Sequence, residues 1–409
     1  MSGPRWVIAG GGMVAGYAAK QLVELGLERG RLTILSSDSF PPYERPPLSK
    51  SFLAGKDTEE QIRINPEPFY REHGIDLRLE CEITGLDARQ KRLSLASGAP
   101  VEFESLILAT GSVARTFDLP GAKLEGVQYL RSLGDARAIR GRIANAKRAV
   151  VVGGGFIGME TASVLAQKNV ETTMVMPDDR IWKHFFSPEL SASFEKYFEK
   201  HGVRFVKAVH VSEVKGTQSV EGVGLSNGGT LDCDLVIAGI GARPVTEFLQ
   251  GSGVAVEKGV TVNEYLETDV PGILAAGDIA NYPDVLFGKR RRVEHWDNAV
   301  QQGQHCARML MGQRTPFRHV PYFFSDVFDL SYEFWGDTEG AEQVVHRGDL
   351  SGTSFSAWWL RGGVVVAAFV MNRPDEEREA APQWIEGKQH ASAAKLADPS
   401  LTISAAIEK

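Results

Sequence analysis

The strongest constraint on this chain is a pattern that occurs twice. Arg5-Trp-Val-Ile-Ala-Gly10-Gly11-Gly12-Met13-Val14-Ala15-Gly16 runs from an apolar strand through a glycine turn into small residues that open a helix. Ala149-Val-Val-Val-Gly153-Gly154-Gly155-Phe156-Ile157-Gly158-Met-Glu160 repeats it as a full GxGxxG. The first glycine permits the tight turn, and the second lets backbone approach a pyrophosphate. The third position, Ala15 or Gly158, lets helix and strand pack closely. Phosphates then meet free N–H groups and the positive end of a helix dipole. A lone GxGxxG is weak, but two, each between strand and helix, predict two dinucleotide-binding α/β units.

An acid for a ribose hydroxyl should follow each fingerprint by about 20 residues. After the first come Leu32-Thr-Ile-Leu-Ser-Ser37-Asp38, a strand ending at Ser37 and Asp38. After the second, Met176 takes the strand-end position and the carboxylates are Asp178 and Asp179. Two carboxylates there repel the 2′-phosphate of NADP, while Arg180 could attract it. NADH is the expected nucleotide.

Size and composition set the remaining bounds. A chain of 409 residues is too long for one core and suggests two or three domains. No apolar run reaches the length of a membrane span, and no signal peptide is expected before Trp6. The net charge of −7 argues against a nucleic-acid binder. Cys81, Cys233 and Cys306 form no CxxC, zinc or disulfide pattern. A reducing cytoplasm and no metal site are expected.

Three further strands end in small residues, which bring backbone close to a ligand. They are Ser105-Leu-Ile-Leu-Ala109-Thr110-Gly111, Asp234-Leu-Val-Ile-Ala-Gly239-Ile-Gly241-Ala-Arg-Pro244 and Gly272-Ile-Leu-Ala-Ala276-Gly277-Asp278. In these segments the chain resembles the FAD-dependent pyridine-nucleotide oxidoreductases along its whole length. The resemblance implies a discontinuous FAD domain (1–115 and 245–319), an inserted NAD domain (116–244) and a small C-terminal α+β domain (320–409). The implied fold class is α/β, with two Rossmann-like domains, and the implied cofactors are non-covalent FAD and NADH.

Pro41-Pro-Tyr-Glu-Arg45-Pro-Pro-Leu-Ser-Lys50 carries four prolines, so it suits neither helix nor central strand. It resembles the flavin loop of the ferredoxin reductase branch, which includes bacterial oxygenase reductases, apoptosis-inducing factor and monodehydroascorbate reductase. The resemblance puts Arg45 on the FAD pyrophosphate and Lys50 near the flavin, paired with Glu160. Lys50 and Glu160 are thus the expected catalytic pair, as electrostatic tuners of the flavin and not as acid–base groups. It also extends the cofactor-binding set to Met13, Val14, Ile83, Arg115, Arg131, Phe156, Ile157, Gly241 and Asp278. The redox cysteine pair of disulfide reductases is missing, so electrons are expected to leave from the flavin itself.

Glu294-His295-Trp296 opens a helix expected to run to about Met311. By resemblance, Glu294 and His295 face the nicotinamide and Trp296 contacts FAD. The preceding run Lys289 to Arg292 is either a patch that attracts an acidic partner or a set of internal ion pairs. From about residue 320, aromatic-rich strands with Gly362-Gly363 between the last two predict a hairpin in a small antiparallel sheet. Phe324 matches a position that is tryptophan in many ferredoxin reductases and tyrosine in the ascorbate-radical enzymes. Those enzymes also carry an arginine where Val300 stands here. The expected activity is electron transfer from NADH through FAD to a 2Fe–2S ferredoxin of an oxygenase system, by a monomer or homodimer. Reduction of a small radical or quinone, and an NADH-sensing binding role, are the alternatives.

Overall fold

The structure is a computed structural model that describes residues 5–183 and 185–408. Its Cα positions divide into two compact units. The first comprises the chain up to Arg45, Thr58–Val113 and Ala242–Pro321. At its centre lies a five-stranded sheet in the order Ile273–Ala275, Ser105–Leu108, Trp6–Ala9, Leu32–Leu35, Asp76–Arg78. All neighbouring pairs are parallel. Every residue of Trp6–Ala9 and Leu32–Leu35 is buried, as expected of strands covered on both faces. Helices Met13–Glu24 and Trp296–Leu310 cross so closely that a Cβ on Gly303 would lie 2.7 Å from the Val14 carbonyl oxygen.

The second unit comprises Pro46–Asp57, Ala114–Gly241 and the chain from Tyr322 onward. Its parallel sheet has the order Val203–Val206, Glu171–Val175, Arg148–Val152, Leu235–Ala238, Val127–Gln128. Helix Phe156–Gln167 follows the central strand Arg148–Val152. Leu133–Ile143 starts at a capping box between Ser132 and Asp135. The C-terminal segment folds into five antiparallel strands, in the order Tyr322–Val327, Leu330–Gly336, Val364–Met371, Phe355–Arg361, Gln343–Gly348. Gly362 and Gly363 both have positive φ (54° and 79°), as a two-residue hairpin turn requires. Behind the sheet, Arg347 and Glu377 are both buried and pair at 2.9 Å.

Two Rossmann-like sheets and an antiparallel C-terminal sheet make this the expected α/β class. Strands Leu330–Gly336 and Gln343–Gly348 were not anticipated from the sequence. Helix Trp296–Leu310 ends within a residue of its expected limit. Among the described residues, no helix is long and apolar enough to cross a membrane.

Candidate active site

The first fingerprint builds an anion cradle. Gly10 has φ +126°, and a Cβ there would lie 2.1 Å from the carbonyl oxygen of Ala109. Only glycine fits both the conformation and the space. Gly12 caps helix Met13–Glu24 with extended backbone and no side-chain hydrogen bond, so the first helical N–H groups are not capped by its side chain. A Cβ on Gly12 would meet only the Arg45 guanidinium, 3.7 Å away. A free helix N-terminus beside a guanidinium fits a pyrophosphate. Met13, Val14 and Ala15 are buried beneath it.

Around this cradle, the Asp38 carboxylate accepts from Phe40 N at 3.2 Å and from the Tyr43 hydroxyl at 2.8 Å. Ser37 beside it is exposed, and Ile83 is half-buried at the start of strand Ile83–Asp87. Thr110 Oγ1 donates to Val245 O at 2.7 Å, and Gly111 has φ +67°. Asp278 lies in the turn Gly277–Ile279, where Gly277 N donates to the buried Gln302 Oε1 at 2.7 Å. His295 is the N-cap residue of its helix, and burial pushes it down to about 4 against the pull of Asp278 and Asp297. Glu294 is exposed and pairs with Arg292. Trp296 Nε1 donates to Glu44 Oε2 at 2.5 Å, and the Tyr17 hydroxyl donates to the same carboxylate. Burial, then Glu44, drives the Tyr17 phenol well above its ordinary value.

In the second unit the other fingerprint repeats the construction. Gly153 has φ +111° and faces Gly239 O, 2.3 Å from where a Cβ would lie; Gly158 faces Gly153 O at 2.2 Å. Gly155 caps helix Phe156–Gln167, again without a side-chain bond, and a Cβ there would meet nothing within 4 Å. This open cradle fits a second nucleotide. Gly241 O accepts from Arg115 N at 2.9 Å. Arg131 N donates to Asp135 at 3.0 Å. Phe156 packs against Phe323 at 4.5 Å between centroids, and Ile157 is 40 % exposed. Asp178 is half-buried after the strand end.

Lys50 and Glu160 meet in this unit, Nζ to Oε1 at 2.8 Å. The proline-braced stretch forms a tight turn, Pro46–Ser49, which delivers Lys50 to helix Phe156–Gln167. Ser49 donates to Glu160 Oε2, and Ser325 donates to Oε1 at 2.5 Å. Lys50 Nζ lies 5.6 Å from the Phe324 ring centroid.

Of the two readings of residues 289–292, internal pairing is the one that the three arginines make. Arg290 donates to Val262 O and Asn281 O, Arg291 pairs with Asp284 at 3.0 Å, and Arg292 holds Asp278 O and Glu294. A short hairpin of Ala280–Asp284 with Lys289–Arg291 uses these arginines to satisfy its own buried acceptors. Arg180, considered as a phosphate binder, instead donates to Phe186 O at 3.2 Å, Ser191 Oγ at 3.4 Å and Lys183 O at 3.1 Å. Glu44, Ser49, Gln302 and Ser325 were missed. Only Glu44 and Ser49 carried a signal, their place inside the proline-braced stretch.

Two glycine cradles on parallel sheets, taken with the family match that follows, define an FAD-dependent NAD(P)H oxidoreductase. Residues 4–303 match the family described as Pyridine nucleotide-disulphide oxidoreductase, and residues 322–407 match Reductase C-terminal. The chain belongs to the pyridine nucleotide-disulphide oxidoreductase family. It is 35 % identical over 398 residues to Monodehydroascorbate reductase 4, peroxisomal, of Arabidopsis thaliana, covering 91 % of this chain and 80 % of that protein. Its structure superposes on the reductase of the covalent putidaredoxin reductase–putidaredoxin complex with TM-score 0.95, at 30 % identity and 99 % coverage of both chains. A ferredoxin reductase from Rhodopseudomonas palustris gives TM-score 0.94 at 32 % identity, covering 99 % of this chain and 100 % of the other.

Proposed function

We propose that this enzyme passes electrons from NADH through FAD to a 2Fe–2S ferredoxin. The single observation carrying this choice of acceptor is the close likeness over whole chains to putidaredoxin reductase and to a ferredoxin reductase. Residues 1–115 and 245–319 are assigned to FAD, 116–244 to NADH, and 320–409 to the C-terminal domain; a cytoplasmic site of action suits this reading.

In this assignment Arg45 and the N-terminus of Met13–Glu24 hold the FAD pyrophosphate, and Asp38 the ribose. Gly153, Gly155 and Gly158 admit the NADH pyrophosphate, and Asp178 its ribose. Bound FAD supplies a two-electron acceptor that releases electrons singly. Lys50, held by Glu160, supplies a fixed positive charge that favours the reduced ring, and Phe324 shields it from water. NADH is preferred to NADPH because Asp178 and Asp179 repel a 2′-phosphate while Arg180 is committed to its own loop.

The second reading is reduction of a small organic radical, favoured by the 35 % identity to a monodehydroascorbate reductase. Against it stand Phe324 and the buried Val300, where the resemblance places a tyrosine and an arginine in those enzymes. Stopped-flow oxidation of the NADH-reduced enzyme decides between them. Rapid oxidation by an added 2Fe–2S ferredoxin, with slow oxidation by monodehydroascorbate radical, is expected. The reverse order would replace the first reading by the second.

A further inference from the structure

The Glu160 carboxylate gathers one cation and two hydroxyls, all within the second unit: Lys50 and Ser325 on Oε1, Ser49 on Oε2. Glu160 is 4 % exposed and Ser325 fully buried. Ser325 lies in strand Tyr322–Val327, directly opposite Tyr332 on the neighbouring strand, so the two side chains share a face. Tyr332 is 1 % exposed, and among the described residues its buried hydroxyl, on the face it shares with Ser325, has no hydrogen-bond partner. A serine hydroxyl carries one proton but can accept as well. If Tyr332 donates to Ser325 Oγ, the Ser325 proton is left to point at Glu160.

We infer that Ser325, with Tyr332 facing it across the strand pair, is a positioning residue that fixes the Glu160 carboxylate and, through it, the ammonium of Lys50. The C-terminal sheet thereby reaches the Lys50–Glu160 pair through a hydrogen bond as well as through the Phe324 ring. A buried carboxylate bound by a single cation can rotate between acceptors, whereas one gripped at both oxygens cannot. Burial drives the Tyr332 phenol well above its ordinary value, so its hydroxyl keeps its proton. The functional half rests on the proposed action of Lys50 on the flavin; the geometric half does not.

The test compares Ser325→Val with Ser325→Thr, nearly equal in shape and differing in the hydroxyl, and adds Tyr332→Phe. The first readout is the acylation rate of Lys50 by trace acetic anhydride, followed by peptide mass spectrometry on the full chain. An amine less firmly held by its carboxylate is more open to the reagent and is labelled faster. The second is the single-turnover rate of flavin reduction by NADH.

Ser325→Val is expected to speed labelling several-fold and to slow reduction by roughly tenfold, the scale of one hydrogen bond to a charged group. Ser325→Thr should restore both, and Tyr332→Phe should move both the same way by a smaller factor. Equal Lys50 labelling in the Val and Thr variants would overturn the inference, and wild-type behaviour of Tyr332→Phe would remove Tyr332 from it. Altered labelling with unaltered reduction would leave the positioning intact and defeat the proposed role of Lys50 instead. Should Ser325→Val not fold, Ser49→Ala carries the same labelling test, with faster labelling expected and an unchanged rate against the inference.

Discussion

The ammonium of Lys50 lies 2.8 Å from Glu160 Oε1, with the two side chains 13 % and 4 % exposed. Removing one member of such a pair leaves a buried charge without its counter-ion, a change that commonly costs about 3 kcal/mol or more. Lys50→Met therefore has two expected outcomes. Unfolding by urea should show a loss of about 3 kcal/mol, and stopped-flow reduction of bound flavin by NADH should slow by at least about tenfold. Normal flavin reduction in a folded Lys50→Met enzyme would remove the lysine from the redox chemistry.

Arg180 is the cation nearest in sequence to Asp178 and Asp179, and it is spent on carbonyls of the loop that follows. Lys183 is likewise paired with Asp179 at 3.2 Å. A 2′-phosphate brought there meets the carboxylates of Asp178 and Asp179. Steady-state kcat/KM should favour NADH over NADPH by about tenfold or more, roughly 1.4 kcal/mol. Asp178→Asn should narrow the ratio, chiefly by improving NADPH.

Glu377 is 2 % exposed. Burial alone would raise its pKa, but hydrogen bonds from Arg373, Ser356 and Arg347 outweigh it and hold the carboxyl below its ordinary value. A depressed folded value gives stability that is fully present above the unfolded carboxylate range, about 4.3. That stability is lost as pH falls through the folded value. Glu377→Gln should thus lower the free energy of unfolding at pH 7 by about 3 kcal/mol. It should also flatten the fall of stability on acidification below about pH 4.3. A variant with the wild-type acid profile would show that the pair does not govern acid stability.

Much of this was legible in the sequence because backbone sterics leave glycine little choice. Gly10 and Gly153 stand where any Cβ would collide with a carbonyl oxygen, so a glycine turn between strand and helix announces itself. The tight turn at Pro46–Ser49 follows as directly, since proline removes both helix and central strand as options. Side-chain partnership was not legible. Ser325 joins Glu160 across 165 positions of chain, and no local pattern marks a serine between Phe324 and Asp326 as a donor to it. The arginines of 289–292 stayed ambiguous in the sequence for a related reason. A run of like charge suggests a surface, yet each arginine found an acceptor on its own hairpin or the adjoining loops. Strand Gln343–Gly348 lacks clear alternation because Arg347 is buried there, neutralised by Glu377 and by carbonyls of the C-terminal residues.

Two glycines of one fingerprint separate folding from binding. Gly153 has φ +111° and a carbonyl 2.3 Å from any Cβ, so Gly153→Ala strains the backbone and forces Gly239 aside. It should lower the thermal midpoint and reduce soluble yield. Gly155 has φ −85°, which alanine adopts without strain, and the added methyl meets nothing within 4 Å. Gly155→Ala should therefore keep the wild-type melting temperature. If this open space is where a pyrophosphate approaches the helix N-terminus, the methyl stands between them and KM for NADH should rise by about tenfold or more. The flavin content of the purified protein should stay unchanged, because FAD is assigned to the other fingerprint. Measuring KM, flavin absorbance and melting temperature on the one variant checks the assignment. Loss of flavin with an unchanged KM would exchange the two nucleotides between the two folds.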